Sequence, residues 1–304
     1  MPPRRRQSPR PLLIVDAPSL LFRAYYGLPR SIKGAGGRPV NALLGSVNMM
    51  LQEIDSHDPR AVVMAFGQDA ADYRVELFEG YHADREPMED DIGQQFDQAP
   101  DLYAALGWES AAVPGLEADD VLGSFALAEQ DAGGTAQILT GDRDMFQCVN
   151  DRCTVLFLRT GGRGADVVDE AEVRRRYGVP PALVTDLIAL RGDPSDGIPG
   201  GRGIGPKTAA DLLQRHGSLE GAIAGWAGES PRVRAALHGQ ADELRDFKEV
   251  ATLRTVAVEL PPDRPTDRTG GAEAARELGM NRLAERLESR PQRRGALRRA
   301  ATER

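Results

Sequence analysis

The chain has 304 residues, 41% hydrophobic and 28% charged, with a formal net charge of -8 at pH 7. That length can bury a full core in one large domain or two smaller ones, and the composition favours neither a disordered nor a membrane class. The acidic balance also argues against binding nucleic acid through bulk charge, since phosphate contacts draw on Lys and Arg.

Residues 1–11 are rich in Pro and Arg (Arg4, Arg5, Arg6, Arg10) and are predicted to be a disordered basic arm. The apolar run Leu12-Leu13-Ile14-Val15 is too short for a signal-peptide core or a membrane span, so a cytoplasmic protein with no membrane partner is expected. It ends on Asp16, as a buried parallel strand would, with the acid at the strand's carboxyl end. One helix is expected over 19–26. A second is written in Leu43, Leu44, Val47, Met50, Leu51 and Ile54, at the spacing of one buried face. Between them, residues 33–38 read as a flexible basic loop.

Residues 61–66 give a second buried strand, followed by Gly67-Gln68-Asp69. Residues 70–90 then interleave rings and cations (Tyr73, Arg74, Phe78, Tyr81, His82, Arg85). That texture suits single-stranded nucleic acid, with rings on bases and Arg on phosphate. A surface loop with its rings tucked inward explains it equally. A helix over 89–106, with Pro100 as a kink point, follows.

Gly115-Leu116-Glu117-Ala118-Asp119-Asp120 opens a helix reaching about residue 129. Acids in a first turn can be no more than caps facing the helix dipole. Other acids, however, recur at the ends of apolar runs: Asp16, then Asp142 and Asp144 after a strand at 135–140, then Asp193 and Asp196. Acids gathered so closely cannot all stay ionised without a cation among them. Hard divalent ions fit, because Mg²⁺ prefers oxygen and keeps waters that a substrate phosphate can replace. The eight acids would contribute about -8 by themselves, which bound metal would offset. Cys148, Cys153 and the scattered His57, His82, His216 and His238 form neither a zinc pattern nor a disulfide framework. The chain therefore reads as an enzyme acting on phosphate esters.

Strands alternating with helices imply crossover units and a parallel sheet. After a glycine-rich hairpin near 161–164 the chain turns helical, over 169–177, 181–191, 206–216 and more weakly to 287. In the joint 191–209, Gly201, Gly203 and Gly205 precede a helix and let backbone N–H groups approach phosphate, with Lys207 adding a point charge. No strand precedes them, which argues against a dinucleotide fold and for a helix-hairpin-helix on a DNA backbone. Residues 290–304 are Arg-rich and predicted to be a disordered tail.

Taken in order, Ile14-Val15-Asp16, Phe22-Arg23, Tyr73-Arg74, 81–85, 117–120, 140–144, 192–196 and 203–209 resemble the 5′ nuclease superfamily, which includes flap endonucleases and the N-terminal nuclease domain of bacterial DNA polymerase I. The resemblance spans residues 12–290 and implies an α/β fold: a parallel-sheet, PIN-like 5′ nuclease core over 12–169, with a helical arch at about 70–90. A helical helix-hairpin-helix (H3TH) domain over 170–289 would follow. It further implies that Asp16, Glu117, Asp119 and Asp120 organise one metal, and Asp142, Asp144, Asp193 and Asp196 a second or outer one. Mg²⁺ or Mn²⁺ would be the ions, with K⁺ at the hairpin. Arg74 and Arg85 would act catalytically from the arch. Arg23, Tyr73, Tyr81, Gly201, Gly203, Gly205, Lys207 and Thr208 would contact DNA.

The implied chemistry is metal-assisted hydrolysis of DNA bearing a 5′ end or flap, in replication and repair. With no polymerase region in the sequence, a free-standing nuclease is expected. Two positions depart from the superfamily, Gly67 where Asp is usual and His82 where Lys is usual. Asp69 is expected to swing its carboxylate toward the missing acid's place. His82 is expected to serve phosphate when protonated, with turnover gaining near pH about 6.5. A Toprim-type domain also uses a Glu and a later Asp-x-Asp, but leaves Asp119-Asp120, 192–196 and the hairpin unexplained. A non-catalytic binder of branched DNA is the other reading, resting on Gly67 and His82.

Overall fold

A strand covered on both faces needs no polar alternation, and the first apolar run behaves so: β1 (Leu12–Asp16) is buried at all five positions. In the computed structural model, which describes residues 10–83, 85, 87–159 and 164–289, β1 is joined by β2 (Ala61–Ala65), β3 (Glu109–Ala111), β4 (Ala136–Thr140), β5 (Cys153–Leu158) and β6 (Ala165–Val168). Among the described residues these form one six-stranded sheet in the order β3-β2-β1-β4-β5-β6. Every neighbouring pair is parallel except β5 with β6. Of the expected basic arm only Arg10 and Pro11 are described; its remainder, the tail at 290–304 and hairpin residues 160–163 lie outside the described residues.

Successive strand residues point to opposite faces, and the core divides accordingly. Leu12, Ile14, Val63, Ile138 and Val155 join one cluster with α5 (Ala118–Asp131). Leu13, Val15, Val62, Met64 and Leu139 join another with α1 (Ala17–Gly27), α2 (Asn41–His57) and α4 (Asp90–Ala105). A one-residue slip would exchange the two sets, so this division pins the register. α4 continues through Pro100. The joint expected as a flexible loop holds a short 3-10 turn, Ala35–Gly37, closed by a bridge between Lys33 and Pro39.

Beyond β6 come α6 (Glu170–Tyr177), α7 (Val184–Arg191), α8 (Pro206–His216), α9 (Leu219–Ala224), α10 (Pro231–Gly239), α11 (Ala241–Ala251), α12 (Arg268–Glu277) and α13 (Asn281–Ser289). These do not stay together as one helical body. Ala272, Ala275, Leu283, Ala284 and Leu287 of α12 and α13 return to the layer of α1, α2 and α4. The crossing segment is pinned on its way: Arg60, paired with Glu129 in the core, donates to the Pro261 carbonyl at 2.8 Å.

Candidate active site

The chain leaves β1 for β2 and β3 on one side and resumes at β4 on the other. Loops at the carboxyl ends of two such strands diverge and open a crevice. A cleft of about 1450 Å³ lies there, and Asp16, Glu117, Asp119, Asp142, Asp193 and Asp196 line it. Asp16 ends β1, accepts from Ser19 N at 2.9 Å and accepts from Thr140 Oγ1 at 2.7 Å. The Thr140 hydroxyl in turn accepts from Asp142 N at 2.9 Å, and Asp142 Oδ1 from Asp144 N at 2.8 Å. One hydroxyl thus fixes acids contributed by two strands.

Burial raises Asp16, Asp119, Asp142 and Asp144 from their ordinary value, and neighbouring acids raise the last three further. Asp142 and Asp16 act on Asp119. Asp196, Asp16 and Asp193 act on Asp142. Asp142, Asp196, Asp193 and Asp119 act on Asp144. Acids expected in two sets therefore form one electrostatic cluster, and a cation would relieve it. The donors are all hard oxygens, as Mg²⁺ or Mn²⁺ requires. Among the described residues no three His, Cys, Asp or Glu side chains close into a ready-made cage. A hydrated ion held by one or two carboxylates plus phosphate needs none, so the donor set fits.

The acids that open α5 differ in role. Asp119 lines the cleft, whereas Asp120 is fully buried and does not. Asp120 accepts from Tyr73 Oη at 3.0 Å, Arg74 Nη2 at 3.1 Å, Arg254 N at 2.8 Å and Glu117 N at 3.2 Å. A carboxylate offers about four lone-pair sites, so the metal role expected of Asp120 is corrected to helix cap and counter-ion. Glu117 accepts from Ala71 N at 2.8 Å and Tyr81 Oη at 2.9 Å and pairs with Arg74 at 2.9 Å.

Tyr73, Arg74 and Tyr81, expected to meet DNA on an open arch, are buried. Two acids in a low-dielectric interior draw the guanidinium inward, and the short helix α3 (Asp72–Leu77) carries it there. The alternation of rings and cations records this internal network. Arg85 remains at the rim of the cleft, its side chain 44% exposed.

Gly67 lies against the start of α5, where a Cβ would stand 2.2 Å from Ala118 N and 2.3 Å from the Glu117 carbonyl carbon. No aspartate fits on this backbone. Asp69 does not compensate either. Its carboxylate is 75% exposed and paired with Arg85 at 2.9 Å at the rim of the cleft, and Gln68 N, bonded to the Leu116 carbonyl at 3.0 Å, fixes the turn that carries it. Gly67→Asp is accordingly expected to lower stability by about 1–3 kcal/mol through overpacking, without a gain in rate. Asp69→Ala should leave stability within about 0.5 kcal/mol of the parent, as an exposed substitution does, and should still cut. Denaturant melts and single-turnover cleavage check both, and a stable, faster Gly67→Asp enzyme would contradict this packing. His82 is corrected as well: its side chain is 3% exposed and held by Asp196, so it is not a free cation waiting for phosphate.

Between α7 and α8 the chain makes two turns, with Asp193 bridged to Ile198. Gly203 has φ 79° and lies under Arg232, whose Nε would stand 1.8 Å from a Cβ at that position. No side chain caps α8, so the first-turn amides of Lys207 and Thr208 stay open as donors. Lys207 is exposed. Gly201 differs from expectation: it is buried, and its N–H is spent on the Leu190 carbonyl at 2.9 Å. Arg23 lines the cleft, bonded to the Arg159 carbonyl at 3.1 Å and with its buried Nε unpartnered. Arg143 and Arg191 also line it and escape sequence reasoning. Their position beside Asp142, Asp144 and Asp193 is the signal that marks them.

Acids that need a cation, beside open amides and exposed cations that suit phosphate, belong to one chemistry, and fold and site define a phosphodiester-hydrolysing nuclease. Residues 11–178 match the family model for the 5′-3′ exonuclease N-terminal resolvase-like domain, and residues 179–268 that for the 5′-3′ exonuclease C-terminal SAM fold. The chain belongs to the 5′-3′ exonuclease family. It is 39% identical over 209 residues to a 5′-3′ exonuclease of Streptomyces coelicolor, covering 64% of this chain and 68% of that relative. It is 36% identical over 197 residues to DNA polymerase I of Mycobacterium leprae, covering 64% of this chain but 22% of the polymerase. In fold it is similar to the bacteriophage T5 D15 flap endonuclease, solved as a pseudo-enzyme-product complex with DNA and metal ions. The TM-score is 0.67 at 16% identity, covering 92% of this chain and 98% of that one.

Proposed function

We propose that the chain is a divalent-metal-dependent 5′-3′ exonuclease and structure-specific 5′ flap endonuclease acting on DNA. The observation that carries this reading is the single acid cluster at the β1/β4 crevice, where burial raises Asp16, and burial together with neighbouring acids raises Asp119, Asp142 and Asp144. Asp16, Glu117, Asp119, Asp142, Asp144, Asp193 and Asp196 would hold the ions. Mg²⁺ is the proposed ion, with Mn²⁺ as its substitute and K⁺ at the hairpin carbonyls. Bound there, the ions would activate a water and stabilise the attacking and leaving oxygens of the displacement.

The chain's own residues supply the rest. Thr140 keeps Asp16 and Asp142 in fixed relation. Arg23, Arg85, Arg143 and Arg191 along the cleft offset the phosphate charge of an entering strand. Gly203 to Thr208 grip duplex backbone through amides and Lys207. A non-catalytic binder fits less well, because uncompensated acids beside phosphate would only weaken binding. With DNA as substrate, replication and repair in the cytoplasm are the proposed setting.

The test is incubation with end-labelled 5′-flap, nicked and single-stranded DNA in Mg²⁺, Mn²⁺ or chelator. Release of 5′ fragments near the junction of single and double strand is expected with either ion and not with chelator. Binding without cutting under every condition would favour the non-catalytic reading. Lys207→Ala should weaken duplex binding alike across unrelated sequences and make the salt slope shallower by about one. An effect that depended on base sequence would contradict the hairpin's assignment.

A further inference from the structure

His82 has a left-handed backbone, φ 52°, which His and Asn tolerate better than bulkier residues. Its ring lies 3.9 Å from that of Tyr81, stacked on it. Nδ1 meets the Asp69 carbonyl oxygen at 2.9 Å, and Nε2 meets Asp196 Oδ1 at 3.1 Å. The His82 backbone N–H also donates to the Asp196 carbonyl, at 3.3 Å. The opposing loop is shaped for the contact: Gly197 has φ 76°, and a Cβ there would stand 2.6 Å from the Gly80 carbonyl oxygen. Residues 80–82 are thus locked to the 193–198 loop, which carries two acids of the cluster.

With both ring nitrogens facing acceptors, His82 has no donor left for a phosphate. We infer that His82 is a positioning residue, which orients the Asp196 carboxylate and fastens the 80–82 segment to the loop bearing Asp193 and Asp196. The inference rests on the nuclease reading above. One Asp196 oxygen faces His82; the other takes no hydrogen bond among the described residues and is left for the cleft. Lysine, usual here in the superfamily, is a point charge on a flexible stem and does not span both acceptors as a rigid ring does.

The test uses His82→Gly, which favours the same backbone and removes the ring. His82→Asn, also tolerant of that backbone but too short to reach both acceptors, and His82→Lys accompany it. Three quantities are read on the full chain: flap-DNA affinity, single-turnover rate at saturating DNA, and the Mn²⁺ dependence of thermal stabilisation without DNA. All three variants should bind flap DNA about as the parent does. Each should lose about 10- to 100-fold in rate or in apparent Mn²⁺ affinity, the range seen when a partner that orients a metal ligand is removed. Weakened flap affinity with rate and Mn²⁺ dependence unchanged would overturn the inference, as would a His82→Lys enzyme at or above the parental rate. Asp196→Asn separates the two levels. If it cuts and responds to Mn²⁺ like the parent, the assignment of Asp196 itself fails. If it is impaired while the His82 variants are not, only the positioning role fails.

Discussion

Asp142→Asn is expected to reduce flap cleavage by at least about 10³-fold, close to 4 kcal/mol of lost transition-state stabilisation, while flap binding persists. Asp142 stands where β4 gives way to the cleft and shares Thr140 with Asp16. The same substitution should change stability in a direction that depends on pH and metal. Burial, with Asp196, Asp16 and Asp193 adding to it and the bond from Asp144 N opposing, pushes Asp142 from its ordinary 3.8 up to about 6. A folded-state value above the unfolded one means that the unfolded chain releases this proton first. Stability of the metal-free protein therefore falls as pH rises from about 4 through about 6. At pH 7.5 without metal, Asp142→Asn should be the more stable protein by about 1–2 kcal/mol, allowing for the open cleft beside the group. At pH 4 the difference should vanish. Saturating Mn²⁺ should reverse the order, because an ion that binds the parent's folded state stabilises it by mass action. Thermal melts at two pH values with and without Mn²⁺, beside single-turnover rates, check each part. Parental turnover from Asp142→Asn would remove this acid from the site.

Arg74→Ala is expected to cost about 3–5 kcal/mol of stability, the usual consequence of removing one partner from a buried ion pair. Arg74 is only 4% exposed, pairs with Glu117 at 2.9 Å and Asp120 at 3.1 Å, and donates to Tyr73 Oη and Tyr81 Oη. Burial opposes its charge, but Tyr81, Glu117 and Asp120 outweigh that and hold it ionised. Its removal would leave two carboxylates in the interior without a counter-charge. Asp120→Asn added to Arg74→Ala should recover part of the loss, since one of those charges then disappears, and a double-mutant cycle by urea melts reads the coupling. An Arg74→Ala protein of parental stability that had lost flap binding would restore the open-arch role.

The mapping of residues onto elements was legible in the chain wherever the cause is local. Runs such as Leu12 to Val15 declare a strand buried on both faces, and Leu43, Val47, Met50 and Leu51 declare one face of a helix, because side-chain direction repeats with the backbone's own period. Acids at strand ends followed from the same logic: alternating elements force a parallel sheet, and a parallel sheet gathers its carboxyl ends at one edge. The glycine-rich joint before Pro206 was legible too, since Gly203 at φ 79° meets a backbone requirement that needs no distant partner.

Which charge meets which was decided only by tertiary structure. Glu117, Asp119 and Asp120 look equivalent in a first turn, yet Asp120 is claimed by Arg74 from 46 residues away and by the Arg254 amide from 134. Asp119, one position earlier, faces the cleft. Tyr73 and Tyr81 carry the composition of a nucleic-acid platform and serve as internal donors instead, and Gly67 excludes the usual acid by contact with the start of α5. The return of α12 and α13 to the first layer likewise has no local signal, because an amphipathic helix states that it has a buried face and not what covers it. Periodicity and strand-end position arise from neighbours in sequence and can be read there. The partner of a buried charge is set by desolvation and packing between segments far apart in the chain, and those exist only once the chain has folded.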